Sequence, residues 1–385
     1  MERPDRKSQA RNEVHEGSIS ADGLSRREAI VMLALGAAAF LKQPGALARS
    51  TTSVSKSGRI DVHYHLGGQG GVGGNGANAN AGANAAANTR PTRTSQWTPA
   101  KAIEDMDRVG TAAGIISASS AGAGTGSLEE RNRQARQFNE TAAKLCTDHP
   151  DRFGLWARLP LTDVNASLKE IEYAYGSLKA DGIGLVTSYE GMWLGDPKFL
   201  PVWQELNRRK AVVYVHPNDD DCCSGPNFLS YEKQNPPVSS AWFEYPMNTA
   251  RTIFSLLLAG TTRQMPDIRF IFSHGGGVAP LLLSRIDGFV DWDSVGPETL
   301  RRLFPDGLQN EFGKLYFEVA QSFSQVNMDA LRKLAPPSHI LYGSDYPVFP
   351  LDHTEIGLQK LTLPATLRRG IERDNALALL PRWRT

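Results

Sequence analysis

The chain has 385 residues, 41% of them hydrophobic and 22% charged, with 42 Lys and Arg against 41 Asp and Glu. That length and apolar content suffice for one large core, and the near-zero net charge gives no electrostatic reason to expect nucleic acid or an anionic membrane surface as a partner. The three cysteines are too few for a disulfide framework, and adjacent Cys222 and Cys223 lack zinc-knuckle spacing, so they read as loop thiols.

The first fifty residues read as an address. Ser25-Arg26-Arg27-Glu28 precedes a 13-residue apolar run, Ala29 to Leu41, which is followed by Ala46-Leu47-Ala48 as an A-x-A cleavage site. The run is too short for a helix to cross a hydrocarbon core of about 30 Å. Together these features predict a twin-arginine signal over residues 1–48, with Ala29-Ile30 where the consensus prefers Phe-Leu. The expected location is periplasmic or secreted, the export machinery is an expected partner, and the mature protein is expected to begin near Arg49.

Beyond the signal, short apolar runs alternate with amphipathic stretches. Strands are expected at Arg59–His63, Gly114–Ala118, Phe153–Arg158, Gly182–Thr187, Val212–His216, Ile268–Ser273, Leu315–Ala320 and Ile340–Gly343. Rich in Val, Ile, Leu and Phe and without strict alternation, they read as strands buried on both faces of a parallel sheet. Helices are expected at Thr98–Gly110, Leu128–Asp148, Val164–Lys179, Pro197–Arg209, Ala241–Gln264, Val278–Val290, Gln325–Leu334 and Thr354–Leu380. Eight such βα units predict one α/β domain over residues 49–385, a (β/α)8 TIM barrel. Gly67 to Asn88, almost only Gly, Ala and Asn, is expected to be a flexible insertion after the first strand.

Polar residues end several of these runs. In Asp61-Val62-His63-Tyr64-His65 the two histidines are two apart, so an extended backbone points both to one side, where they could share an ion. By itself such a pair has chance as a rival. His216 ends the fifth run, His274 follows the sixth and Asp345 lies just past the eighth. All five groups thus fall at the C-terminal ends of strands, where barrel enzymes build their sites. Five separately satisfied polar residues would share that placement only by coincidence.

With these motifs in order, the chain resembles the amidohydrolase superfamily, in the branch of the aminocarboxymuconate-semialdehyde and aromatic-acid decarboxylases. The carrying residues are Asp61-Val62-His63-Tyr64-His65, Ala211 to Pro217, Arg269 to Gly277 and Gly343-Ser344-Asp345-Tyr346-Pro347, with Arg373 to Leu377 and Leu380-Pro381-Arg382 near the end. Leu178 to Gly182 and Tyr189 to Pro197 look most like the 6-methylsalicylate decarboxylases. The Gly/Ala/Asn insertion is foreign to the pattern, and Asn248 stands where relatives tend to carry Asp. The resemblance implies that His63, His65, His216 and Asp345 ligate the metal and that His274 is the acid/base group beside it. Three imidazoles and one carboxylate suit a single divalent ion, Zn²⁺ first and Mn²⁺ as the alternative. The fourth strand end, Gly184 to Ser188, offers no lysine for the carbamate bridge of a two-metal site.

The same ligand set supports two reactions, so the expected small-molecule substrate divides them. One is non-oxidative decarboxylation of a small aromatic or unsaturated acid, with Asp345 or His274 delivering a proton. The other is hydrolysis of a lactone or amide by an ion-activated water. Around the site, Arg251 could hold a substrate carboxylate, and Trp193, Phe228 and Trp242 could wall an aromatic pocket. Glu318 ends the seventh strand facing the same rim, with packing near Arg158 as its rival role. Asp61 either orients the ion's histidines or helps end its strand. A second copy of the chain, in a homodimer, is the remaining expected partner.

Overall fold

The computed structural model describes residues 58–67, 93–119, 123–219, 240–291 and 296–384. Residues 1–57, most of the Gly/Ala/Asn stretch, and Cys222, Cys223 and Phe228 lie outside them, as do the readings made on those residues.

Among the described residues, eight strands form one parallel sheet: β1 (Arg59–His65), β2 (Thr111–Ser117), β3 (Phe153–Arg158), β4 (Gly182–Val186), β7 (Val212–His216), β8 (Arg269–Phe272), β9 (Tyr316–Glu318) and β10 (Ile340–Leu341). A separate antiparallel hairpin, β5 (Ser188–Tyr189) with β6 (Met192–Trp193), follows β4. The eight-stranded sheet closes on itself. Val62 N–H donates to Tyr342 O at 3.0 Å, Asp345 N–H to His63 O at 2.9 Å and His65 N–H to Tyr346 O at 2.8 Å, so the segment after β10 pairs with β1. This is the expected (β/α)8 barrel.

Two apolar layers explain the continuous hydrophobic runs. Ile60, Val62, Ile115, Trp156, Tyr214, Ile271 and Leu341 fill the lumen, together with Leu380 and Trp383 from the chain end. The opposite faces of the strands pack against the helices through a larger layer containing Leu155, Val213, Phe270 and Phe317. Trp156 is the widest plug: it stacks on Tyr214 at 6.0 Å and its indole N–H donates to Val62 O at 2.9 Å. Gly182 makes room for it, since a Cβ there would come within 2.7 Å of the Trp156 ring and 2.4 Å of Val212 O.

Helices begin where side chains can take the free N–H groups of the first turn. Thr98, Asp163 and Ser324 cap Pro99–Val109, Val164–Gly176 and Gln325–Leu334, and Ser127 with Glu130 forms a capping box on Leu128–Asp148. Two of the expected helices are divided. Ala241–Gln264 becomes Glu244–Leu258 and Thr261–Gln264, separated at Gly260, whose φ of 70° ends an α-helix. Thr354–Leu380 becomes His353–Gln359 and a second helical stretch over residues 365–379, whose middle turn, Gly370–Asp374, is a π-helix, with Pro364 just before it, where it cannot continue a helix from upstream. The β5–β6 hairpin and two helices, Gly296–Leu303 and Leu308–Gly313, are additions to the expected elements. The hairpin turns on Glu190 and Gly191, both at positive φ, as a two-residue turn requires. No helix among the described residues is long and apolar enough to cross a membrane.

Candidate active site

At the C-terminal mouth of the barrel, ligand atoms of His63, His65, His216 and Asp345 lie within 4.8 Å of one another, and all four residues are buried. Each imidazole is turned by a bond at Nδ1. His63 Nδ1 meets Glu318 Oε1 at 2.9 Å, His65 Nδ1 meets Ser117 O at 3.3 Å and Ser117 Oγ at 3.1 Å, and His216 Nδ1 meets Pro217 O at 2.6 Å. Where Nδ1–H donates to these oxygens, each Nε2 keeps its lone pair.

Those lone pairs converge. His63 Nε2 is 3.0 Å from His65 Nε2, and Asp345 Oδ1 is 3.3 Å from the first and 3.1 Å from the second. Two lone pairs cannot face each other at that separation, so either a proton on His63 or a cation lies between the rings. Four atoms held tetrahedrally at bonds of about 2.0–2.1 Å would stand about 3.3 Å apart. The donor set therefore fits one small divalent ion.

The charges agree. Burial pulls the His63 imidazolium down, but Glu318 and Asp345 outweigh it and raise the group to about 10. Burial also lowers His65, and it lowers His216 further, aided by the neighbouring imidazoles. For Asp345 burial works toward the neutral acid, but His63 and His65 hold it well below the usual carboxylate range. The protein without an ion thus stores positive charge on His63, at the place where an ion would sit.

The supports around this cluster come from several strands. Glu318 does more than face the rim. Its Oε1 accepts from His63 and from the backbone N–H of His274 at 2.7 Å, and its Oε2 accepts from Ala320 N–H at 2.7 Å. Through these bonds it orients His63 and fixes the turn bearing His274. Gly343 lets this happen, because a Cβ there would lie 1.9 Å from Glu318 Oε2. Asp61 accepts from the backbone N–H of His63 at 3.1 Å and of Ser344 at 3.0 Å, and from the Ser344 hydroxyl. It binds no imidazole, but it staples the segment carrying Asp345 to the strand carrying His63 and His65. Burial pushes its carboxyl up to about 7.

His274 stands beside the cluster, with its ring 5.0 Å from that of His63 and 6.1 Å from that of His216. Its Nδ1 meets Ala320 O at 3.0 Å, which leaves Nε2 free to exchange a proton. His274 and Asp345 both adopt positive φ, 55° and 61°, a conformation that side-chain-bearing residues hold only where surrounding bonds impose it. Here Glu318 holds the first and His63 O accepts from the N–H of the second.

The remaining candidates are dispersed. Arg251 donates to Asn248 Oδ1 at 2.5 Å and lies 3.8 Å from Glu244, so its charge is answered within its own helix. Trp193 is half-buried on the β5–β6 hairpin. Trp242 is 68% exposed. Ser117, Ser344 and Asn218 are supports that sequence reasoning missed. Asn218 ties Thr187, Ser188 and Asn248 together two residues after His216. Its position after a strand-end histidine was a signal for it, but the partners of Ser117 and Ser344 are 50 or more residues away.

The amidohydrolase family profile matches residues 60–382. The decarboxylase macB of Penicillium terrestre is 32% identical over 345 residues, covering 85% of this chain and 96% of that protein. The 6-methylsalicylic acid decarboxylase of Penicillium expansum is 35% identical over 255 residues, 64% of this chain and 75% of that protein. Among solved structures, a dihydroxybenzoic acid decarboxylase from Polaromonas sp. JS666 with bound manganese shares the fold at a TM-score of 0.69 and 18% identity, covering 84% of this chain and 97% of that one.

Proposed function

Because this chain belongs to the amidohydrolase family, we propose that it is a metal-dependent, non-oxidative decarboxylase of a small aromatic carboxylic acid. The observation that carries the reading is the four-ligand cluster with His274 at its side, in a chain that aligns with 96% of the length of a decarboxylase.

His63, His65 and His216 through Nε2, and Asp345 through Oδ1, would hold the ion. When bound, it supplies a Lewis-acid centre for the substrate's carboxylate and neighbouring oxygen. The chain's own residues do the rest. Glu318, Ser117 and the carbonyl of Pro217 keep the three imidazoles turned inward, while the buried floor of Trp156 and Tyr214 keeps water from below. As the bond between ring carbon and carboxylate breaks, its electron pair stays on the ring carbon. A proton from Nε2 of His274 in its imidazolium form, or one that the ionised Asp345 has first accepted, replaces the departing CO2. For the ion, the donor set favours Zn²⁺ over Mn²⁺, although the Polaromonas enzyme holds manganese. A 6-methylsalicylate-like acid is the substrate we favour, given the name of the Penicillium expansum relative.

His274→Ala tests the mechanism. Metal content and melting temperature should stay near wild type while kcat falls roughly 10²–10⁴-fold, the usual worth of acid–base catalysis. Normal kcat at full metal content would leave Asp345 as the proton donor. Incubation with hydroxybenzoates and lactones, following CO2 and acid release separately, tests the reaction itself. Acid release without CO2 would assign hydrolysis. We read residues 1–48 as a twin-arginine signal delivering the folded enzyme to the periplasm, so changing Arg26 and Arg27 to Lys should strand it in the cytoplasm. Unchanged delivery would point to the general secretory route.

A further inference from the structure

The three imidazoles of the cluster are not equally supported. His63 is turned by the Glu318 carboxylate, and His65 by the carbonyl and hydroxyl of Ser117. Nδ1 of His216 instead meets the carbonyl of the next residue, Pro217, at 2.6 Å. That carbonyl lies beyond the end of β7, and Pro217 has no N–H with which to bond a neighbouring strand. The direction of the His216 ring therefore depends on whatever fixes the peptide between Pro217 and Asn218.

That peptide is held from two sides. Its N–H, on Asn218, donates to Thr187 Oγ1 at 3.3 Å, and the carbonyl of Asn218 that follows it accepts from Asn248 Nδ2 at 2.8 Å. The Asn218 side chain braces the same turn, accepting from Thr187 Oγ1 at 2.7 Å and from Ser188 N–H at 3.1 Å. Thr187 and Ser188 directly follow β4, whereas Asn248 reaches in from the helix Glu244–Leu258. It is fully buried there, so water cannot stand in for its amide. Both ends of that amide face groups of fixed character. Oδ1 accepts from Arg251 Nη1 at 2.5 Å, and a guanidinium only donates, while Nδ2 faces a backbone carbonyl, which only accepts. A carboxamide of this size answers both. An ionised carboxylate of the same shape would satisfy Arg251 but set an oxygen against the Asn218 carbonyl, and an apolar side chain would leave both groups unpaired.

We infer that Asn248 is a positioning residue for the metal centre. Its carboxamide, oriented by Arg251, holds the Asn218 carbonyl. Through the peptide before it, that bond fixes the Pro217 carbonyl, which aims Nε2 of His216 at the ion. Asn248 itself touches neither ion nor substrate. The inference rests on the reading of His216 as a ligand.

The test reads the metal centre rather than turnover, with Zn²⁺ and Co²⁺ as probes. Asn248→Asp should bind Zn²⁺ about 10-fold or more weakly in competition with a chelator, the usual effect of losing a residue behind a ligand. It should also shift the visible absorption of the Co²⁺-loaded protein, because those bands follow ligand geometry. Asn248→Ala, which leaves the carbonyl unpaired without repelling it, should do both to a lesser degree. A residue that only ties the helix to the rim would lower the melting temperature and leave Zn²⁺ affinity and the Co²⁺ spectrum at wild type. That result in Asn248→Asp would overturn the inference, and should Asn248→Asp fail to fold, the same result in Asn248→Ala would overturn it equally well. The ligand reading is checked separately with His216→Ala. If His216→Ala keeps Zn²⁺ at wild-type affinity, the reading of His216 as a ligand fails and the inference falls with it. If His216→Ala loses the ion while Asn248→Asp keeps wild-type affinity and spectrum, the role of Asn248 alone fails.

Discussion

At the scale of single residues, the site depends on which nitrogen of each histidine is left free. His63 shows this most directly, because its Nδ1 bond to Glu318 both turns the ring and raises its basicity. Replacing Glu318 with Gln removes the anion, so metal affinity should fall about 10–100-fold, measured by competition with a chelator. Metal uptake should also depend on pH in a definite direction. Without an ion, His63 titrates near 10 in the fold against about 6.5 when unfolded. Its protonation thus stabilises the ion-free protein fully below about 6.5, and that contribution is lost as pH rises through about 10. An ion must displace this proton. Affinity should therefore rise from pH 6.5 to 10 and binding at pH 7.5 should release protons, visible with an indicator dye. Affinity independent of pH across that window would remove the His63 proton from the site.

At the scale of elements, the barrel joins the two ends of the described chain. β1 carries two ligands, and the segment after β10 carries the fourth. Asp61 and Ser344 hold them in register. Ser344→Ala leaves a carboxylate at full burial short of one partner, a loss typically worth about 1–3 kcal/mol. The variant should melt lower and hold metal less tightly, with kcat per bound metal near wild type. A melting curve unchanged from wild type would show that the backbone bonds alone close the barrel. The expected strands came close because each is a short apolar run with a polar end. The divided helices were hidden by amphipathic patterns that continue across Gly260 and Pro364: periodicity reports which face is buried, not where the backbone turns.

At the scale of the whole molecule, one lumen plug supports the floor of the site. Trp156 touches β1 through Val62 O, β7 through Tyr214 and the gap left by Gly182. Trp156→Ala should cost about 3–5 kcal/mol, the usual range for an aromatic core truncation, read as a lower denaturation midpoint. The same variant should lose metal affinity, since Tyr214 and His216 share a strand. Stability loss at full metal affinity would mean that the mouth of the barrel is rigid without its floor.

The sequence by itself determined the order and ends of the barrel strands and the set of polar groups at their tips, because strand burial and side-chain parity are local properties of the chain. It showed that His63 and His65 share a face and that His216, His274 and Asp345 end runs on the same rim. Only the tertiary structure decided which groups support which. Glu318 reaches His63 across 255 positions and Ser344 reaches Asp61 across 283, separations at which no local pattern links partners.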